Sequence, residues 1–121
     1  MLKRDIVFRW KSKRTGEWFF GNLFDEDTKG RTHIGTTVGR CFDIDPETVG
    51  QFTGMTDKNG TKIFEGDIYS MGDDSIKYVV VWRKCMFIGK QIGSNSYAGL
   101  DYFESDIKKV GNIYDNKELL K

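Results

Sequence analysis

The sequence predicts a mainly β protein: a single domain of short, strongly bent antiparallel strands, barrel-like or an irregular sandwich, with little helix. Three observations carry this. Short runs rich in aromatic and β-branched residues are separated by turn-forming ones. No long stretch repeats its apolar residues at helical spacing. Glycine is abundant, at 14 residues, while Pro46 is the only proline, which suits a turn-rich β fold better than a disordered chain.

The strands follow in order. Ile6-Val7-Phe8-Arg9-Trp10-Lys11 alternates, setting Ile6, Phe8 and Trp10 on one face and Val7, Arg9 and Lys11 on the other. Arg14-Thr15-Gly16-Glu17 turns the chain, and Trp18-Phe19-Phe20 returns as a second strand. A further turn is predicted from Asp25 to Arg31. Asp45-Pro46-Glu47-Thr48 reads as a turn or one short helical turn, because proline suits the first helical position.

The segment from Val49 to Ile68 gives the sharpest prediction. Asp57-Lys58-Asn59-Gly60 fits a type I turn closed by a bulge, with Asp57 bonding the backbone ahead of it and Gly60 accepting positive φ; a two-residue Asn59-Gly60 turn is the alternative. The flanking strands are Val49 to Thr53 and Thr61 to Phe64, and Glu65-Gly66-Asp67 punctuates before another strand begins at Ile68. Tyr78-Val79-Val80-Val81-Trp82, the most apolar run, is expected to be central and buried on both faces, paired with the run from Met86 to Ile92. Leu100 to Glu104 reads as a short helix or strand, Asp106 to Tyr114 as a closing strand, and Asp115 to Lys121 as a brief helical tail.

At 121 residues the chain is long enough for one domain, residues 1–121, with a real core and no staples. Aromatics supply 14% of it against a hydrophobic share of 38%, so that core is expected to be built on Trp, Phe and Tyr. With 19 basic and 18 acidic side chains there is no long-range field to draw in nucleic acid or an anionic membrane, and such binding would need a local patch. No apolar run approaches the roughly 18 residues of a membrane span. Met1-Leu2-Lys3-Arg4-Asp5 also lacks the apolar segment of a signal peptide. The expectation is a cytoplasmic protein without membrane contact, with Cys41 and Cys85 reduced and part-buried.

Candidate chemistry is sparse. Glu65 and Asp67 would share a strand face, but with Gly66 between them they read as shaping and solubilising a turn. Asp57-Lys58-Asn59-Gly60 echoes a calcium loop, yet its glycine comes too early and no ligand Glu follows at the proper distance. His33 is the only histidine, without the context of a nucleophile elbow, and reads as a loop or edge residue. Glycine patterns that cradle phosphates are absent. No catalytic residue, metal site or cofactor is assigned.

The best local case for binding is Arg9, Lys11, Lys13 and Arg14 beside Trp10 and Trp18, where cations would contact phosphates and an aromatic would stack on a base. Against it, alternation turns Trp10 inward and leaves the basic residues as an ordinary solvated face. Many short strands present edges that pair across subunits, so a homo-oligomer is expected.

Gly50-Gln51-Phe52-Thr53-Gly54-Met55, followed by Asp57-Lys58-Asn59-Gly60 and Ile63-Phe64-Glu65-Gly66-Asp67-Ile68, closely resembles the YopX family of phage and prophage proteins. The closing stretch Ile107-Lys108-Lys109-Val110-Gly111-Asn112-Ile113-Tyr114-Asp115-Asn116-Lys117-Glu118-Leu119-Leu120 is similar to that family's C-terminal signature, and Ile6 to Trp10 to its opening strand. Departures are local: Arg9 abuts Trp10 where the family usually has a residue between them, Lys11 replaces an acidic residue, and Lys117 stands where proline is common. The resemblance implies a phage or integrated-element origin and a β-rich oligomeric fold; a phage or host protein is expected as a further partner. It supplies no catalytic residues to carry over. The expectation is a non-enzymatic, self-associating interaction protein; the alternative is a nucleic-acid-binding accessory protein using Arg9, Lys11, Lys13, Arg14 and Trp18.

Overall fold

The computed structural model describes residues 6–21, 23–26, 32–36, 39–41, 44–100 and 106–120. Strand dominates it, as the composition predicts. The chain divides into two compact units, Met1–Phe52 and Thr53–Lys121.

In the first unit, β1 (Phe8–Lys11) and β2 (Trp18–Gly21) form an antiparallel hairpin with Trp10 opposite Phe19 and Lys11 opposite Trp18. The turn begins earlier than the sequence suggests, because Ser12 anchors it. Its Oγ accepts the N–H groups of Arg14 and Thr15, and its carbonyl accepts that of Gly16. A three-stranded antiparallel sheet follows, with β4 (Thr32–Thr36) between β3 (Leu23–Glu26) and β5 (Gly39–Cys41). His33 therefore lies on a central strand, opposite Asp25, and not in a loop or at an edge. The β-branched residues Thr32, Ile34 and Thr36 around it favour the strand. Residues 27–31, the heart of the turn expected between Asp25 and Arg31, lie outside the described residues.

Pro46–Thr48 is one turn of 3-10 helix, with Asp45 as its cap: the carboxylate accepts the Glu47 N–H at 3.2 Å. This turn docks on β1. The Lys11 N–H donates to Thr48 Oγ1 at 2.8 Å, and the Asp45 N–H donates to the Lys11 carbonyl at 2.9 Å. Trp10 and Ile44 are buried together, packed by Phe8 and Val49. Ile6, expected on the same inward face, is exposed beyond the start of β1. The strand β6 (Gly50–Thr56) begins here, with Gly50 opposite Arg9 and Gln51 opposite Phe8.

The second unit opens with the remainder of β6 and turns at Asp57-Lys58-Asn59-Gly60 into β7 (Lys62–Phe64). The turn has the predicted bulged form: Gly60 N–H donates to Asp57 C=O, Asp57 N–H donates to Thr61 C=O, and Gly60 has φ of 82°. A five-stranded antiparallel sheet follows in the order β11-β10-β9-β8-β12, built from β8 (Asp67–Ser70), β9 (Tyr78–Arg83), β10 (Met86–Gln91), β11 (Tyr97–Ala98) and β12 (Lys108–Asn112). One 3-10 turn, Lys117–Leu120, forms the helical tail. Leu100 is in the core, and residues 101–105, the rest of the segment read as a short helix or strand, lie outside the described residues. Among the described residues no sheet closes into a barrel.

The run Tyr78–Arg83 is central, as expected, but it is not buried on both faces. Its core side carries Val80, packed with Ile63, Tyr69, Leu100 and Ile107, with Tyr78 and Phe87 against them. Val79 and Val81 point the other way and are half-buried, while Trp82 is 56% exposed. Among the described residues only one face of this sheet carries the core cluster, so alternate residues of even the most apolar strand lie outside it.

Candidate functional site

The β1–β2 hairpin gathers the residues that the sequence singles out, but not as an open basic face. Strand alternation and the register place Arg9, Lys11, Trp18 and Phe20 on one side, and Trp10 and Phe19 on the other. The Arg9 guanidinium lies 4.6 Å from the centre of the Trp18 ring and Lys11 Nζ lies 5.6 Å from it. These are cation–π distances. Arg9 is only 3% exposed, so it is not the solvated cation that alternation implies. The long stem packs and the head rests on the indole, which spares it part of the cost of leaving water. Trp10 is inward, stacked on Phe19 at 6.1 Å. Lys13 and Arg14 stand exposed at the hairpin tip. Phe19 and Phe20 remain 40% and 55% exposed, so adjacent residues of one strand present aromatic surface.

The acidic candidates have structural roles. Asp67 is fully buried. Its carboxylate accepts the Phe64 N–H at 2.7 Å and lies 3.2 Å from Lys109 Nζ, so it does not solubilise its turn. Asp57 is also buried: one oxygen accepts the N–H groups of Asn59 and Thr61, the other that of Lys109. Burial pushes this carboxyl up, but the N–H groups of Lys109, Thr61 and Asn59, with the Lys109 charge, outweigh it and hold it below its usual value. Among the described residues no three His, Cys, Asp or Glu side chains gather where they could hold a metal ion.

The two signature stretches of the sequence meet in space. Asp67 pairs with Asn112 and Ile68 with Gly111; the Ile113 N–H donates to the Gly66 carbonyl, and Tyr114 covers Gly66. Gly66 has φ of 91°, and a Cβ there would lie 3.1 Å from the Tyr114 ring. A Cβ on Gly111 would lie 2.7 Å from Asn116 Cγ, and the Asn116 Oδ1 accepts the Asn112 N–H. Strand pairing and close packing at Gly66 and Gly111 thus hold the two stretches together.

The pairing of β9 with β10 is as the sequence predicts, but sequence reasoning missed the turn that joins them. This two-residue turn puts Lys84 and Cys85 at φ of 49° and 63°. Neither residue signals such a turn, which Asn-Gly would normally make. Trp82, Met86 and Cys85 are exposed there, so Cys85 is not part-buried as expected. Arg83 stacks over Tyr97, 4.4 Å from the ring centre. One signal was available: from Ser75 to Leu100 the sequence has Lys77, Arg83, Lys84 and Lys90 and no carboxylate.

Comparison with known proteins gives a fold and a family. The structure matches the crystal structure of protein EF1440 from Enterococcus faecalis with a TM-score of 0.61, covering 98% of this chain and 100% of that one at 22% identity, a likeness of fold. No curated protein matches the sequence. The family model described as YopX protein matches residues 7–121. With nearly its whole length so matched, and with the paired motifs that it shares packed against one another, the chain belongs to the YopX family.

Proposed function

We propose that this chain is a non-catalytic interaction protein that self-associates through the aromatic strand β2. The carrying observation is that β2, at the edge of its sheet, exposes aromatic surface on both faces: Phe20 beside Trp18 on one and Phe19 on the other. Large aromatics exposed on an edge strand mark a surface that a partner covers, and aromatic residues dominate the energetics of such contacts. Family membership supports placing it among phage and prophage accessory proteins acting inside a host cell. The test is light scattering after size exclusion over a range of micromolar concentrations. The wild type should exceed the mass of one chain, and Phe20→Glu should return it to a monomer. A wild type that stays monomeric throughout overturns the reading.

A second reading has Lys13 and Arg14 in its favour, since both stand exposed at the tip of the same hairpin. There they would contact the phosphates of single-stranded nucleic acid. Arg9, resting buried on Trp18, supports it less. Polarisation of a labelled oligonucleotide at about 50 mM salt should then show binding that Lys13→Ala with Arg14→Ala weakens. Absence of binding there removes it.

A further inference from the structure

The sheet of the second unit has a face that its own core does not use. Val80, Tyr78 and Phe87 face the core. Alternation and register therefore place Val79, Val81 and Arg83 of β9, Met86, Ile88 and Lys90 of β10, and Tyr97 of β11 on the opposite face. The centre is aliphatic: Val79, Val81 and Ile88 are half-buried and outside the core cluster, and Met86 is exposed beside them. Cations border this strip. Arg83 reaches across β10 to stack on Tyr97, and Lys90 is the cross-strand partner of that tyrosine, on the same face. Lys84 follows at the hairpin tip. Lys77 follows the acidic pair Asp73 and Asp74, and its Nζ donates to the Asp74 backbone carbonyl at 2.6 Å. Lys90 Nζ donates to the Ser94 carbonyl at 2.9 Å, but no residue from Ser75 to Leu100 is acidic, so the segment holds no negative charge to offset Arg83, Lys84 and Lys90.

We propose that this face docks an acidic amphipathic segment of another protein. Its apolar side chains would cover Val79, Val81, Ile88 and Met86, and its carboxylates would meet Arg83 and Lys90. Charge complementarity selects this occupant. A second copy docked face to face would set Arg83, Lys84 and Lys90 against themselves, which like-charge repulsion opposes. Nucleic acid fits less well, because base stacking needs open aromatic faces. The centre here is aliphatic, Tyr97 already carries Arg83, and the exposed indole of Trp82 lies on the other side of the sheet, edge-on to Phe87 at 4.8 Å. Tyrosine, methionine and arginine are also the residues enriched in protein interfaces. The proposal goes beyond self-association through β2 and uses a different surface.

The test is an NMR titration of the full chain with three probes: an alternating Val/Glu peptide, its Val/Lys counterpart and oligothymidylate. The acidic peptide should shift the resonances of Val79, Val81, Ile88 and Tyr97, in the wild type and in Phe20→Glu alike. Arg83→Glu with Lys90→Glu should weaken it by at least about tenfold, the loss of roughly one charge-assisted contact, while the melting temperature stays unchanged. The proposal is overturned if the acidic peptide does not bind, if the Val/Lys peptide binds equally well, if the shifts map elsewhere, or if oligothymidylate alone occupies this face.

Discussion

Gly89 is where the core of the second unit tolerates least. It lies on β10 opposite Val80, and a Cβ there would fall inside the Tyr69 hydroxyl, 2.9 Å from Tyr69 Cζ and 3.4 Å from the Ala98 carbonyl. Tyr69 has little room to retreat. It is fully buried among Ile63, Val80, Leu100 and Ile107 and stacked on Tyr78 at 5.4 Å. Gly89→Ala should therefore cost about 3 kcal/mol, the upper part of the usual range for overpacking a core. That corresponds to a fall in melting temperature of roughly 10 °C for a chain of this size. The Tyr69 hydroxyl also finds no hydrogen-bond partner among the described residues, and burial pushes its pKa well above the ordinary value, with Tyr78 adding to the effect. Deleting it with Tyr69→Phe should leave stability within about 1 kcal/mol of the wild type or raise it. In the double variant the alanine methyl then meets only the ring, and most of the loss should return. Urea denaturation of all four proteins closes the cycle. If Gly89→Ala falls within about 0.5 kcal/mol of the wild type, or Tyr69→Phe does nothing to rescue it, the close approach is not what requires glycine.

Other perturbations test the same physical reasoning. Lys84→Asn with Cys85→Gly should stabilise the chain by about 1–2 kcal/mol in thermal unfolding, since both residues hold left-handed backbone that Asn-Gly adopts with little strain; a loss of stability would contradict this. The Asp57 carboxyl is the stronger acid in the folded state, so its contribution is full above its unfolded pKa and fades as pH falls through the folded one. Asp57→Asn should accordingly lower stability near neutrality and flatten the acid limb of melting temperature against pH, and an acid limb as steep as the wild type's would count against it. Asp67→Ala should cost about 3 kcal/mol in urea, because it leaves Lys109 and the Phe64 N–H without their buried acceptor; a neutral result would show that Asp67 is dispensable.

What was legible in the sequence was mostly local. The Asp57-to-Gly60 turn depends on a carboxylate two residues from an N–H and a glycine that accepts positive φ, and both are written in four letters. The cap at Asp45 before Pro46 is legible for the same reason. The turn after β1 was shifted because a serine side chain, Ser12, fixes it more firmly than the later Thr-Gly pair. Tertiary context hid the rest. Nothing in Tyr78-Val79-Val80-Val81-Trp82 says that only one of its faces packs in the core cluster of the described residues, and nothing in Lys84-Cys85 announces a tight turn. For the candidate site, the cations and aromatics of the first hairpin were readable, but Arg9 folding onto Trp18 follows from the register of β1 against β2. The absence of carboxylates from Ser75 to Leu100 was visible, and it gained meaning only once three strands brought those residues onto one face.

The pairing of β8 with β12 has a consequence for synthesis. Asp57 and Asp67, both buried, draw on Lys109, and the Lys58 N–H donates to the Ile107 carbonyl. On a ribosome these carboxylates emerge some forty to fifty residues before the strand that completes their shell. Until then they stay hydrated, and the half-made sheet keeps an open edge at β8. The second unit therefore closes only after translation has passed β12. A chain cut before Lys108 would be left with two acids it cannot afford to bury, and cellular proteases would meet it as an unfinished protein.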